Sequence, residues 1–199
     1  MKRIAVVVLV VAGLMLGEAP AWASLPAPAV KRPSVKPMLL TVNQMPVGWS
    51  VASTGGGGGG TTGCVAPHIR GAKPYSTGSV AYQQGSGPPE IEERLAAYSG
   101  SLAKKFAHVV RVLAACRSLT MPNGTRKVHA QLGQMSFPKM GNQSAAFALT
   151  ASVQNINVGA DILLVRKGQI VMLLMELDLG TPSLSQFEHF AHLALSKVR

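Results

Sequence analysis

The sequence predicts an α+β fold: an antiparallel meander sheet of about five to six strands, with one long helix and a C-terminal helix packed on it. Three observations predict it. Apolar residues step by three and four from Ile91 to Cys116, alternate residues are apolar from Arg117 to Asp178, and Thr181-Pro182 opens a final apolar stripe.

The chain begins with Lys2-Arg3, an apolar run over residues 4–16 and the small-x-small triplet Ala21-Trp22-Ala23. That order reads as a secretory signal peptide over residues 1–23. The run falls short of the roughly 20 apolar residues that span a bilayer. No cysteine follows the cut to take a lipid, so the expectation is a secreted, extracytoplasmic protein of the cell envelope. Residues 24–37 carry four prolines and three basic residues, and read as an extended spacer outside the fold. Residues 38–199 then form one domain of ordinary size.

Composition narrows the class further. The chain is 47% hydrophobic and 14% charged, with a formal net charge of +11, so it is globular rather than disordered. Export removes nucleic acid as a partner for that charge. Phospholipid headgroups, wall polymers and other anionic envelope components remain, beside a plain role in solubility. The basic residues placed for such contact are Lys31, Arg32 and Lys36 in and beside the spacer, with Lys104, Lys105 and Arg111 on the helix. The two cysteines, Cys64 and Cys116, are expected to form one disulfide in an oxidising compartment.

The elements follow in order. Residues 39–51 contain a short helical turn broken by Met45-Pro46, then a strand from Trp49. The glycine run 55–60 satisfies G-x-G-x-x-G trivially. It lacks the Lys-Ser or Lys-Thr and the strand-turn-helix setting of a phosphate loop, and reads as a flexible loop. Residues 78–84 form a strand closed by Gly85-Ser86-Gly87-Pro88. Ile91, Leu95, Tyr98, Leu102, Phe106, Val109, Leu113 and Cys116 then predict one face of a seven-turn helix. Pro89 suits its first turn, and Glu90, Glu92 and Glu93 match its dipole. Gly100-Ser101 marks a kink or a split.

Beyond the helix the period is two. Asn123-Gly124 predicts a hairpin turn, and Val128, Ala130 and Leu132 alternate with polar neighbours. Phe147, Leu149, Ala151 and Val153 form the inward row of another strand. Strands over 161–166 and 169–178 flank Lys167-Gly168 and, being almost wholly apolar, belong mid-sheet. Thr181 as N-cap and Pro182 at the first position start the last helix. Its stripe is Leu184, Phe187, Ala191, Ala194, Leu195 and Val198.

Catalytic chemistry is poorly served by this inventory. The loop Gly141-Asn142-Gln143-Ser144 lacks the second glycine of a nucleophile elbow. Asp161 and Asp178 are placed to face each other across the Lys167-Gly168 turn, but at strand ends. Glu188, His189 and His192 miss the H-E-x-x-H spacing and fall on the polar face of the last helix. The expectation is a non-catalytic protein with no metal and no cofactor. A carrier of a lipid or small apolar ligand, drawing on Met135, Met140, Met172 and Met175, is the alternative; a hydrolase is the second.

Several short segments resemble a family of exported actinobacterial envelope domains. The family includes small lipoproteins and the extracellular sensor domain of the mycobacterial serine/threonine kinase H. The segments are Leu39-Leu40 through Met45-Pro46, Gly48-Trp49-Ser50, Cys64, and residues 93–116 ending in cysteine. Met135 through Gly141-Asn142-Gln143-Ser144-Ala145, residues 161–168 ending in Arg166-Lys167-Gly168, and the C-terminal helix complete the order. The resemblance implies a helix-on-sheet fold and a binding or sensing role. The chain departs from it in having one cysteine pair where the sensor domain has two, no kinase domain and no lipid-anchor cysteine.

Overall fold

The computed structural model describes residues 32, 34–52, 62–63, 72–123 and 126–199. The segment 1–23 expected to be a signal peptide, most of the segment 24–37, the glycine run 55–60 and Cys64 lie outside the described residues. From Arg32 to Arg199 the chain forms one compact unit.

Its centre is a single antiparallel sheet. Five strands make one run: β1 (Trp49–Val51), β3 (Ser76–Gln84), β4 (Gly87–Ala97), β9 (Ile170–Leu179) and β8 (Ile156–Lys167). It continues through β7 (Gln143–Val153), β6 (Arg126–Met135), β5 (Ser118–Asn123) and β2 (Thr62–Gly63). The sheet thus has nine strands counting the two-residue β2, against five to six expected. As expected, β8 and β9 lie inside the sheet. Every pairing is antiparallel.

Alternation sends side chains to two cores. Ile170, Met172 and Leu174 of β9 join one cluster, under helix α2 (Leu184–Lys197); Val171, Leu173 and Met175 join the other, under helix α1 (Ala103–Ala115). Phe187 and Phe190 of α2 are completely buried, in edge-on contact with Phe137 and Trp49. α1 buries Phe106, Val109 and Leu113 against β6, β7 and β8 residues.

The long helix is corrected by the structure. Residues 87–97 are strand β4, and only 103–115 are helical. Ile91, Glu93, Leu95 and Ala97 form the strand's inward row, and one member of that row is a carboxylate. An apolar count therefore skips Glu93 and finds steps of four, which a helix satisfies equally well. Pro89 and the three glutamates accordingly belong to a strand, and Gly100 (φ +81°) is the break between the two elements.

Two boundaries also move. Val35, placed in the spacer by sequence, is completely buried. Two 3-10 turns, Lys36–Met38 and Val42–Gln44, carry the segment across the α2 side of the sheet as a strap. Polar contacts pin it. Leu40 N–H donates to Glu93 Oε2 (2.7 Å), Tyr82 O–H donates to Leu40 O (3.0 Å), and Val35 N–H donates to Ser76 Oγ (3.0 Å). Lys197 Nζ near the end of α2 donates to Leu39 O and to Gln44 Oε1. At the start of α2 the N-cap is Ser183 rather than Thr181. Pro182 is buried in the turn leaving β9, against Gly159, where a Cβ would lie 2.7 Å from the proline ring. Phe190, omitted from the expected stripe, is part of it, while Leu184 is 47% exposed.

Candidate functional site

A cleft of about 540 Å³ opens between α1 and residues 139–144, the end of the loop that joins β6 to β7 with the first two residues of β7. Phe106, Ala107, Val110 and Arg111 face it from the helix, one stripe at i, i+1, i+4 and i+5. Lys139 through Ser144 supply the other wall. Arg111 and Lys139 are both exposed, so two cations stand at the opening with ordinary hydration.

The loop is held rigidly by the turn between β8 and β9. Arg166 O accepts from Asn142 N–H (2.8 Å), and Arg166 Nε–H donates to Gln143 Oε1 (2.7 Å). Gly168 N–H donates to Asn142 Oδ1 (2.7 Å), while Ser144 Oγ accepts from Met140 N–H (3.0 Å). Gly141 makes the close approach possible. It sits at φ +59°, and a Cβ there would lie 2.7 Å from both Arg166 O and Val165 Cγ1. Gly141→Ala is expected to cost about 2 kcal/mol through strain and overlap. A urea titration, read with amide shifts over 139–144, checks this.

The basic residues singled out from sequence do not form one patch. Arg32 stacks over Tyr75 at 5.3 Å, and Lys36 belongs to the strap, both on the α2 side. Lys104, Lys105 and Arg111 are on α1, across the sheet. Of the six, only Arg111 lines the cleft, and Lys31 lies outside the described residues. Lys139, its partner at the opening, was missed because a single lysine in a loop carries no pattern of its own. The sequence marks the surrounding loop as a failed nucleophile elbow and as one of the segments that carry the resemblance, but not as the wall of a cleft.

The carboxylates meet differently from the sequence expectation. Asp161 pairs with Glu176 across β8 and β9, whereas Asp178 pairs with Gly159. Residues around this turn sum to 337 at Lys167 and Ile170, and Asp161 with Glu176 keeps that sum. Glu176 is completely buried on the α2 side, and neither of its oxygens has a hydrogen-bond partner among the described residues. Burial, with Asp161 and Asp178 nearby, pushes its pKa up to about 7. Asp161 is raised by burial as well. Glu93 is pushed up to about 7 by burial, against the opposing pull of Leu40 N–H and Lys197. A carboxylate sealed in this way cannot touch a substrate. Glu93 and Glu176 belong to the fold.

The remaining candidates are dispersed. His189 and His192 are exposed, and His192 Nε2 lies 3.8 Å from Glu188 Oε1. Among the described residues no group of three or more His, Cys, Asp or Glu is arranged to hold a metal ion. Met172 and Met175 belong to opposite cores, and of the four methionines only Met140 lines the cleft, so they do not build one apolar pocket. Cys116 caps α1 and is buried; no described cysteine is free, and Cys64 lies outside the described residues. No helix among the described residues is long and apolar enough to cross a membrane.

No protein-family model and no curated protein matches the chain. Among solved structures, the extracellular domain of PknH from Mycobacterium tuberculosis is similar at 11% identity with a TM-score of 0.47. The likeness covers 61% of this chain and 63% of that one, so the chain spans less than two thirds of its neighbour. The resemblance drawn from sequence therefore has a distant structural neighbour and no family-level match.

Proposed function

We propose that this protein is a secreted, non-catalytic binding domain of the cell envelope that engages an anionic envelope component. One observation carries the reading: the cleft beside α1 sets two cations, Arg111 and Lys139, against a rigid polar loop. A net charge of +11 would draw anionic surfaces toward the domain from any side. The leader-like residues 1–23 and a Cys64–Cys116 disulfide belong to the same proposal, since a leader would deliver the chain outside the cytosol, where a disulfide persists.

Sedimentation with vesicles tests it. The mature protein is expected to pellet with vesicles of phosphatidylglycerol and phosphatidylcholine at low salt, and not with phosphatidylcholine alone. Binding should fall away above a few hundred millimolar salt, where the Debye length drops to roughly 5 Å or less. Equal pelleting with both compositions, or none with either, would remove the anionic reading.

A further inference from the structure

The polar groups of the cleft share a property that their residue types do not reveal. A backbone N–H and an arginine Nε–H can only donate, so the atoms they meet on Asn142 and Gln143 are the amide oxygens. Gly168 N–H and Arg166 Nε–H therefore fix both amides with their oxygens turned toward the end of β8 and the turn after it. Their NH2 groups have no partner among the described residues. Ser144 Oγ is likewise engaged as an acceptor by Met140 N–H, leaving its O–H to donate. Arginine and lysine have no acceptor at all. Arg111, Lys139, Asn142, Gln143 and Ser144 thus line the cleft with side chains rich in uncommitted donors, while each of the three side-chain oxygens already accepts one hydrogen bond.

A ligand matched to such a wall has many acceptors, negative charge and no obligatory donor. A neutral sugar matches it less well, because each hydroxyl brings a hydrogen that needs an acceptor and none of them gains from the two cations. A carboxylate offers two oxygens. A phosphate group offers three or four around a tetrahedron and gains charge-assisted bonds from both cations. Resting on the anionic-binding reading above, we infer that the cleft is a phosphate site, for a free phosphate or a phospholipid headgroup. Arg111 and Lys139 supply charge, and Asn142, Gln143 and Ser144 supply neutral donors. Arg166 acts as a positioning residue: it does not line the cleft, but it sets the orientation of the Gln143 amide and the path of the loop. The preformed wall also removes much of the ordering cost that a mobile loop would add on binding.

The experiment follows backbone amide shifts as inorganic phosphate is added, with methyl glucoside as the neutral comparison. In parallel, the vesicle assay is run on variants. Saturable shifts confined to 106–111 and 139–144 are expected with phosphate and not with the glucoside. If the source is the headgroup alone, phosphate gives no shift but vesicle binding depends on the cleft. Arg111→Gln with Lys139→Gln is expected to weaken binding at least roughly tenfold, and Asn142→Asp, which replaces the free donor by an acceptor, comparably. Lys73→Gln with Arg199→Gln removes the same charge at two exposed positions outside the cleft and should change affinity less than about twofold. Should the two double variants weaken vesicle binding equally while phosphate shifts nothing in the cleft, the site is overturned and the anionic-surface reading survives. A glucoside response matching that of phosphate overturns the donor argument. Absence of binding in both assays overturns both readings.

Discussion

At pH 8, Glu176→Leu is expected to raise the unfolding free energy by about 3 kcal/mol, since each pKa unit is worth ~1.4 kcal/mol. Glu176 is completely buried, lacks a partner for either oxygen among the described residues, and is raised from 4.5 to about 7. An acid whose folded pKa lies above its unfolded value takes up a proton on folding between the two. Its charge is therefore neutral in cost below about pH 4.5, and the native state loses stability as pH climbs toward about 7. Above that the loss is complete and constant. Asp161 across the strand pair and Asp178 two residues along keep the sign the same, because each of them raises the Glu176 pKa further. Urea midpoints of wild type and variant from pH 4.5 to 8 should diverge with rising pH. A difference that stays flat would mean that Glu176 is solvated or paired in the folded protein.

Phe187→Ala is the larger loss, about 3–5 kcal/mol for a fully buried phenylalanine. The ring is completely buried in the core beneath α2, and meets Phe137 edge-on with centroids 5.5 Å apart. α2 is also held at its far end, where Lys167 Nζ donates to Val198 O (2.6 Å) and Lys197 holds the strap. The helix therefore cannot slide to fill the space, and the cavity persists. A double-mutant cycle with Phe137→Ala should return a coupling of roughly 0.5–1.5 kcal/mol for the edge-on pair. Full additivity would show that the two rings contribute only buried area.

The second half of the fold was legible from sequence because its strands carry long apolar stretches, 162–165 and 170–175, which outweigh the buried Asp161 and Glu176. Val128, Ala130 and Leu132 alternate cleanly and are buried as expected, and the Lys167-Gly168 turn joins β8 to β9 where the pattern places it. The first half was not, and the cause is Glu93. A buried carboxylate at the second position of a strand's inward row hides period two, and the surviving spacings mimic a helix that continues smoothly into α1. Nothing local marks Glu93 as buried; its partner, Leu40 N–H, is 53 residues away. The cleft was half legible for a similar reason. Arg111 stands on a periodic helix and could be assigned to a polar face. The orientation of the Asn142 and Gln143 amides depends on Arg166 and Gly168, more than 20 residues downstream.

The strap has a consequence for the order in which the chain can fold. Residues 35–44 are made early, yet one of their anchors is Lys197, on the last turn of α2. Strand β4 likewise finds its second neighbour only in β9. The β3–β4 hairpin and the strap must therefore wait, one face bare, while about 70 further residues are delivered; pairings so distant in sequence are slow to form. Until the final turn emerges the chain has no closed native intermediate that includes its own beginning. A polypeptide built this way closes over its own beginning only when its last helix docks.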